Sequence, residues 1–147
     1  MLRITKETDY GILVLTCFAR AGSEVALTTK QLSEQTGIPY RMVCKILNLL
    51  TKKGLLQSQR GVRGGYQLVK NPQDVTLEEA ICAMEGPITL TECTKDVCDC
   101  MAAKNCFVQD HWASINQAFR RALRGVTIMH MASPKKTNLF PMGVSGK

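Results

Sequence analysis

The chain has 147 residues, enough for one domain with its own core plus an extension, and 45% of them are hydrophobic. Its formal charge is +7, and the excess lies wholly in the first half: residues 1–70 carry eleven Lys and Arg against four Asp and Glu, whereas residues 71–147 carry eight of each. No run reaches the roughly 18 apolar residues of a membrane span, no secretory signal is evident, and no acid–base–nucleophile constellation stands out, so the composition argues against a membrane protein or an enzyme with a small-molecule substrate and for a cytoplasmic chain with a polyanionic partner.

Residues 5–20 read as a helix, with Tyr10, Leu13, Val14, Cys17 and Phe18 along one stripe. Asp9 lies in its first turn, where an acid complements the helix dipole. Thr28-Thr29-Lys30-Gln31 has the form of a capping box and opens a second helix over 29–36. Gly37-Ile38-Pro39 turns into a third, since proline suits the first helical position. There Val43, Ile46, Leu47 and Leu50 fall at i, i+3, i+4 and i+7, an apolar face that leaves Arg41, Cys44, Lys45 and Asn48 on the other side. Gly54 ends this helix as a left-handed cap. Two strands, 55–58 and 66–69, flank the turn Arg60-Gly61-Val62-Arg63-Gly64-Gly65, whose glycines serve the turn rather than a nucleotide phosphate, because no strand-then-helix context surrounds them.

From Gln35 to Gln73 there is no carboxylate, yet this window holds Arg41, Lys45, Lys52, Lys53, Arg60, Arg63 and Lys70. A helix pair with a basic outer face, followed by a basic hairpin, is a winged helix-turn-helix. In that architecture the second helix of the pair enters the major groove. Thr28, Tyr40, Arg41, Cys44, Lys45, Asn48 and Lys52, with Arg60 and Arg63 from the wing, are therefore the candidate contacts to double-stranded operator DNA. Arg41 has the fork that suits guanine or a phosphate; Cys44 is either a reader or the small residue that lets the helix approach.

Thr76-Leu77-Glu78-Glu79 is a second capping box, opening a short helix that runs through Met84 and stops at Gly86-Pro87. Then Cys93-x4-Cys98-x-Cys100-x5-Cys106 packs four thiols into fourteen residues. Soft thiolates at such density select zinc or an iron–sulfur cluster, although the spacing is not the paired C-x2-C of common zinc sites. His111 is a further zinc donor in reach of the loop by sequence. A zinc-stabilised repressor and a cluster-free thiol-redox switch are the alternatives on these residues. From about 108 to 126 a last helix carries Trp112, Ile115, Phe119, Ala122 and Val126 in steps of three and four, a narrow seam expected to form a two-fold dimer interface, with Asn116, Arg120, Arg121 and Arg124 off it. The fold class is thus mainly α with a small β-hairpin wing: a winged helix-turn-helix over 1–72, a short helix and cysteine loop over 73–107, a long dimerisation helix over 108–128, and an expected flexible tail over 129–147, where Pro, Lys, Gly and Ser dominate from Ser133 onward.

Several of these stretches together resemble one family. They are Leu2-Arg3-Ile4-Thr5-Lys6-Glu7-Thr8-Asp9-Tyr10-Gly11, the wing turn running into Tyr66, Glu85-Gly86-Pro87 with Leu90-Thr91-Glu92-Cys93, and Cys106 followed six residues later by Trp112. The chain resembles the IscR/NsrR-type winged-helix iron–sulfur regulators over residues 1 to about 128, most closely the branch described as SUF-system iron–sulfur assembly regulators. The resemblance implies a homodimeric transcription factor whose [2Fe–2S] or [4Fe–4S] cluster controls operator binding. It implies Cys93, Cys100 and Cys106 as ligands, with Cys98 an extra thiol and alternative for the middle position. It further implies Asp9, from the partner subunit, as the fourth ligand: the position where IscR-like members place a histidine is Gln109 here.

Overall fold

The computed structural model describes residues 4–95 and 99–134. In chain order the elements are α1 (Lys6–Ala21), α2 (Thr29–Thr36), α3 (Tyr40–Lys52), β1 (Leu56–Gln59), β2 (Gly65–Leu68), α4 (Leu77–Glu85), α5 (Gln109–Arg124) and α6 (Ile128–Ala132), with 3-10 turns at Glu92–Thr94 and Ala103–Asn105. The fold is mainly helical with a two-stranded wing, as the sequence pattern implies.

Local chemistry sets most boundaries. Thr28 caps α2 and Gln31 returns the bond, a complete capping box. Gly37 closes α2 at φ 70°, a conformation costly for any residue with a Cβ. On α3, Val43, Ile46, Leu47 and Leu50 are all fully buried, each contributing roughly 1.5–3 kcal/mol of transfer free energy. The wing strands pair antiparallel, Leu56 opposite Leu68 and Ser58 opposite Tyr66, one residue out from the expected limits. Leu27 adds a bridge to Tyr66 through two 2.9 Å hydrogen bonds. Gly65 makes this possible: its φ is 155°, and a Cβ there would sit 2.8 Å from the Leu27 carbonyl oxygen.

Helix α1 packs against α2, α3, α4 and α6. With neighbours on several sides its buried surface is broader than one stripe. Val14 and Phe18 are buried as expected and Tyr10 and Cys17 pack at the margin, but Leu13 faces solvent while Ile12, Leu15 and Ala19 lie inside. Burial raises the Cys17 thiol above its ordinary value, Arg20 opposing, which suits a small core residue.

The C-terminal end differs from the expected tail. Residues 128–132 form α6, and the segment before it is stitched to the start of α4: Leu77 N–H donates to the Val126 carbonyl at 2.8 Å, Ile128 N–H to that of Val75 at 2.9 Å. Ile128 is fully buried, and that apolar anchor is why the chain stays ordered past the long helix. Residues 135–147, the rest of the expected tail, lie outside the described residues.

Glu85, the last residue of α4, closes the domain on the start of α1. Its Oε1 accepts from the Thr5 N–H at 3.0 Å, from the Thr5 hydroxyl at 2.7 Å and from the Thr8 hydroxyl. These donors hold its carboxyl below the ordinary 4.5, the Thr8 hydroxyl most of all. Glu85→Ala costs about 1 kcal/mol, an N-cap-sized loss kept small by solvent access. Because the folded value is the lower one, the contribution is complete above the ordinary value and fades as pH falls through the folded one. Urea unfolding of both proteins at about pH 7 and about pH 3 checks it: the gap between them should shrink in acid.

Candidate functional site

The candidate reading face comprises α3 and the wing. Because the apolar stripe of α3 is consumed by the core, Tyr40, Arg41, Lys45 and Asn48 face solvent and Cys44 is half-buried among them. Lys52, Arg60 and Arg63 are also exposed. Two cations of the carboxylate-free window are nevertheless paired from outside it. Lys45 Nζ lies 2.8 Å and 3.1 Å from the two carboxylate oxygens of Glu7 on α1. Lys70 is 2.7 Å from Glu79 on α4, whose hydrogen bond and charge raise its pKa. Arg41, Lys52, Lys53, Arg60 and Arg63 make no ion pair among the described residues. The Thr28 hydroxyl is engaged in the cap of α2, accepting from Gln31 N–H at 3.2 Å.

The cysteine loop is anchored before it begins. Asn116 of α5, only 7% exposed, accepts from Leu90 N–H at 3.0 Å and donates to the Ile88 carbonyl at 3.4 Å. Thr91 then caps the 3-10 turn that carries Cys93, whose sulfur is 3.1 Å from the Thr91 hydroxyl. Cys93 and Cys106 are half-buried and Cys100 is exposed; Cys98 lies outside the described residues. Asp9 is exposed on α1 and His111 exposed on α5. Among the described residues no three His, Cys, Asp or Glu side chains gather closely enough to hold a metal within one chain. The donor set itself, three thiols on an accessible loop, is of the soft kind that fits an iron–sulfur cluster.

Helix α5 divides the expected seam. Trp112 and Ile115 are exposed and Ala122 is half-buried, leaving them available to a second copy. Phe119 packs against the chain's own core. Val126 is a correction: it lies beyond the helix, 1% exposed, with its carbonyl bonded to Leu77, so it takes no part in a dimer surface. The pattern misled because a three-and-four spacing looks the same whether the partner is another copy or the same chain.

Two structural groups escaped the sequence reading. Glu78 on α4 is covered by Arg120 (2.6 Å) and Arg124 of α5. Its burial favours the neutral acid, but the hydrogen bonds and charges of the two arginines win, and its pKa falls below the ordinary value. Asn116 did leave a signal, a polar residue on the same helical face as Trp112 and Phe119. Between the loop and α5 opens a cleft of about 530 Å³, walled by Cys93, Lys95, Arg121 and Arg124 among others. Among the described residues no helix is long and apolar enough to cross a membrane.

A family profile described as Rrf2, iron-dependent transcriptional regulator, matches residues 4–134. The protein called rrf2 from Nitratidesulfovibrio vulgaris is 27% identical over 127 residues, which cover 86% of this chain and 85% of that protein. The structure of CymR (YrzC), described as the global cysteine regulator of B. subtilis, superposes with a TM-score of 0.72 at 26% identity, covering 92% of this chain and 99% of that one. IscR of T. potens superposes with a TM-score of 0.65 at 23% identity over 88% of this chain and 85% of its own, a likeness of fold. With a profile match running from the first helix through the last, on a winged-helix scaffold, the chain belongs to the Rrf2 family of DNA-binding transcriptional regulators.

Proposed function

We propose that the chain is a cytoplasmic homodimer that grips double-stranded operator DNA with α3 and the wing. In this reading an iron–sulfur cluster on the cysteine loop sets operator affinity, and the target genes belong to SUF-type iron–sulfur assembly. The observation that carries it is the joint placement of two features. Five cations with no carboxylate partner among the described residues lie on α3, just after it and on the wing, and the cysteine loop is latched by Asn116 onto α5, whose Trp112 and Ile115 are exposed.

Cys93, Cys100 and Cys106 hold the cluster, with Asp9 of the partner subunit as fourth ligand and Cys98 as the alternative in the middle. When bound, the cluster supplies a thiolate-ligated iron centre that responds to redox poise and iron supply. The chain's own residues do the coupling. Asn116 ties the loop to α5, Glu78 ties α5 to α4, and Glu85 ties α4 to α1 against α3. A change of order in the loop is thereby felt by the separation of two reading helices, which must match half-sites roughly 34 Å apart or a multiple of that. The result is a shift in the population of binding-competent dimers.

Anaerobic purification with an absorption spectrum and iron and sulfide counts tests the cluster: colourless, iron-free protein whose DNA binding ignores chelators sinks it. Salt titrations test the surface. Arg63→Ala or Lys52→Ala should each flatten the plot of log affinity against log salt by about 1.8, one phosphate's worth from each subunit, with little change in base preference. Arg41→Ala should instead relax preference at one position per half-site.

A second reading, a thiol-redox switch, is favoured by the exposure of Cys100 and by the absence of a three-donor group among the described residues. It predicts oxidant-dependent DNA binding in metal-free protein, which the same preparation can report.

A further inference from the structure

Among the described residues, Glu7 is the carboxylate paired with a cation of α3. It sits in the first turn of α1, where the helix dipole favours an acid, and both of its oxygens lie within 3.1 Å of Lys45 Nζ. Its side chain is 31% exposed and that of Lys45 65%, so the pair stands at the protein surface with the carboxylate partly beneath the ammonium. Lys45 is flanked on α3 by exposed Arg41 and Asn48 and by Cys44. This arrangement has an electrostatic consequence. A free lysine on a DNA face takes a phosphate and releases counterions, whereas a lysine already neutralised by a carboxylate has no net charge to offer the backbone. A negative group facing DNA also carries a cost that a purely electrostatic surface would not retain, unless the ammonium it holds is aimed at something other than phosphate.

We infer that Glu7 is a positioning residue for sequence recognition: it fixes Lys45 as a base-directed donor toward guanine O6 and N7, and withholds it from the phosphate backbone. The inference rests on the proposed use of α3 in the major groove. It assigns separate tasks to cations that sequence alone makes equivalent. Arg63 and Lys52 supply salt-dependent grip, and Lys45, held by Glu7, supplies discrimination.

The experiment uses the full-length protein and a duplex library with a randomised core, selected first with the wild type and then with Glu7→Gln, Lys45→Ala and the double variant. Thermal melts confirm that each variant is folded. Salt titrations on the selected duplex accompany each selection. Glu7→Gln should steepen the salt slope by about 1.8, because the released lysine of each subunit now finds a phosphate. It should also lose roughly tenfold of the discrimination at one base pair per half-site, and Lys45→Ala should relax that same position. In the double variant the slope should return to the wild-type value. If the double variant, which keeps the net charge of the pair, has a slope flatter than the wild type by about 1.8, Lys45 is a phosphate contact in both subunits and the inference is overturned. It is equally overturned if Glu7→Gln alters neither slope nor preference while Arg41→Ala, Lys52→Ala and Arg63→Ala weaken binding, an outcome that leaves the reading surface standing. If none of these variants changes binding, the surface itself is misassigned and the role of Glu7 falls with it.

Discussion

Serine in place of Cys93, Cys100 or Cys106 should abolish the visible absorption of anaerobically isolated protein and reduce its bound iron and sulfide at least tenfold, because a hydroxyl is a far poorer ligand for iron than a thiolate. Operator affinity of each variant should equal that of chelator-treated wild type. Cys44→Ser is the internal control: Cys44 sits on α3, remote in sequence from the loop, and its replacement should keep the full iron count. The middle ligand is decided by comparing Cys98→Ser with Cys100→Ser, since only one of them should bleach. Asp9→Ala should give a milder result, a coloured protein that loses its colour faster in air, as expected if an oxygen donor completes the coordination. If all three serine variants retain wild-type iron, the cysteine loop does not hold a metal, and the thiol-redox reading takes its place.

Glu78→Ala should be the most damaging single change to stability outside the apolar core, lowering unfolding free energy by about 1–3 kcal/mol. Removing one member of a fully buried ion pair costs about 3–5 kcal/mol. Here Glu78 is shielded by Arg120 and Arg124 themselves, whose side chains are 42% and 60% exposed, so the abandoned guanidiniums rehydrate and the loss is smaller. The carboxyl's folded pKa lies below its ordinary 4.5, so its contribution is complete above that value and disappears as pH falls through the folded one. Denaturant unfolding should therefore find wild type and Glu78→Ala well apart at about pH 7 and converging in acid, with Glu78→Gln between them at neutral pH. Equal midpoints at neutral pH would mean that α5 is held by contacts other than the Glu78 ion pairs, such as Phe119, Leu123 and the Asn116 hydrogen bonds. In that case the proposed route from loop to reading head loses its middle link.

The same two helices explain where sequence reasoning succeeded and where it stopped. Helix α3 was legible because one local rule decides it: residues at i, i+3, i+4 and i+7 share a face, and only a core can take Val43, Ile46, Leu47 and Leu50. The capping box at Thr28 and the left-handed Gly54 just after α3 are likewise local, and both stand where the pattern puts them. For α5 the pattern established a helix and an apolar seam but not its occupant. Val126 turned out to be claimed by the backbone of Leu77, and Asn116, placed off the seam, is the buried latch of the cysteine loop.

Sequence alone determined the helical content, the wing, the basic carboxylate-free window and the cysteine-rich loop, because each is written within a few residues by periodicity, capping or composition. Only the tertiary structure decided which charges remain free to act. Glu7 lies 38 residues from Lys45 and Glu78 lies 42 from Arg120, and no periodicity links such partners. Their meeting follows from how α1, α3, α4 and α5 pack, a property of the assembled core rather than of any one segment.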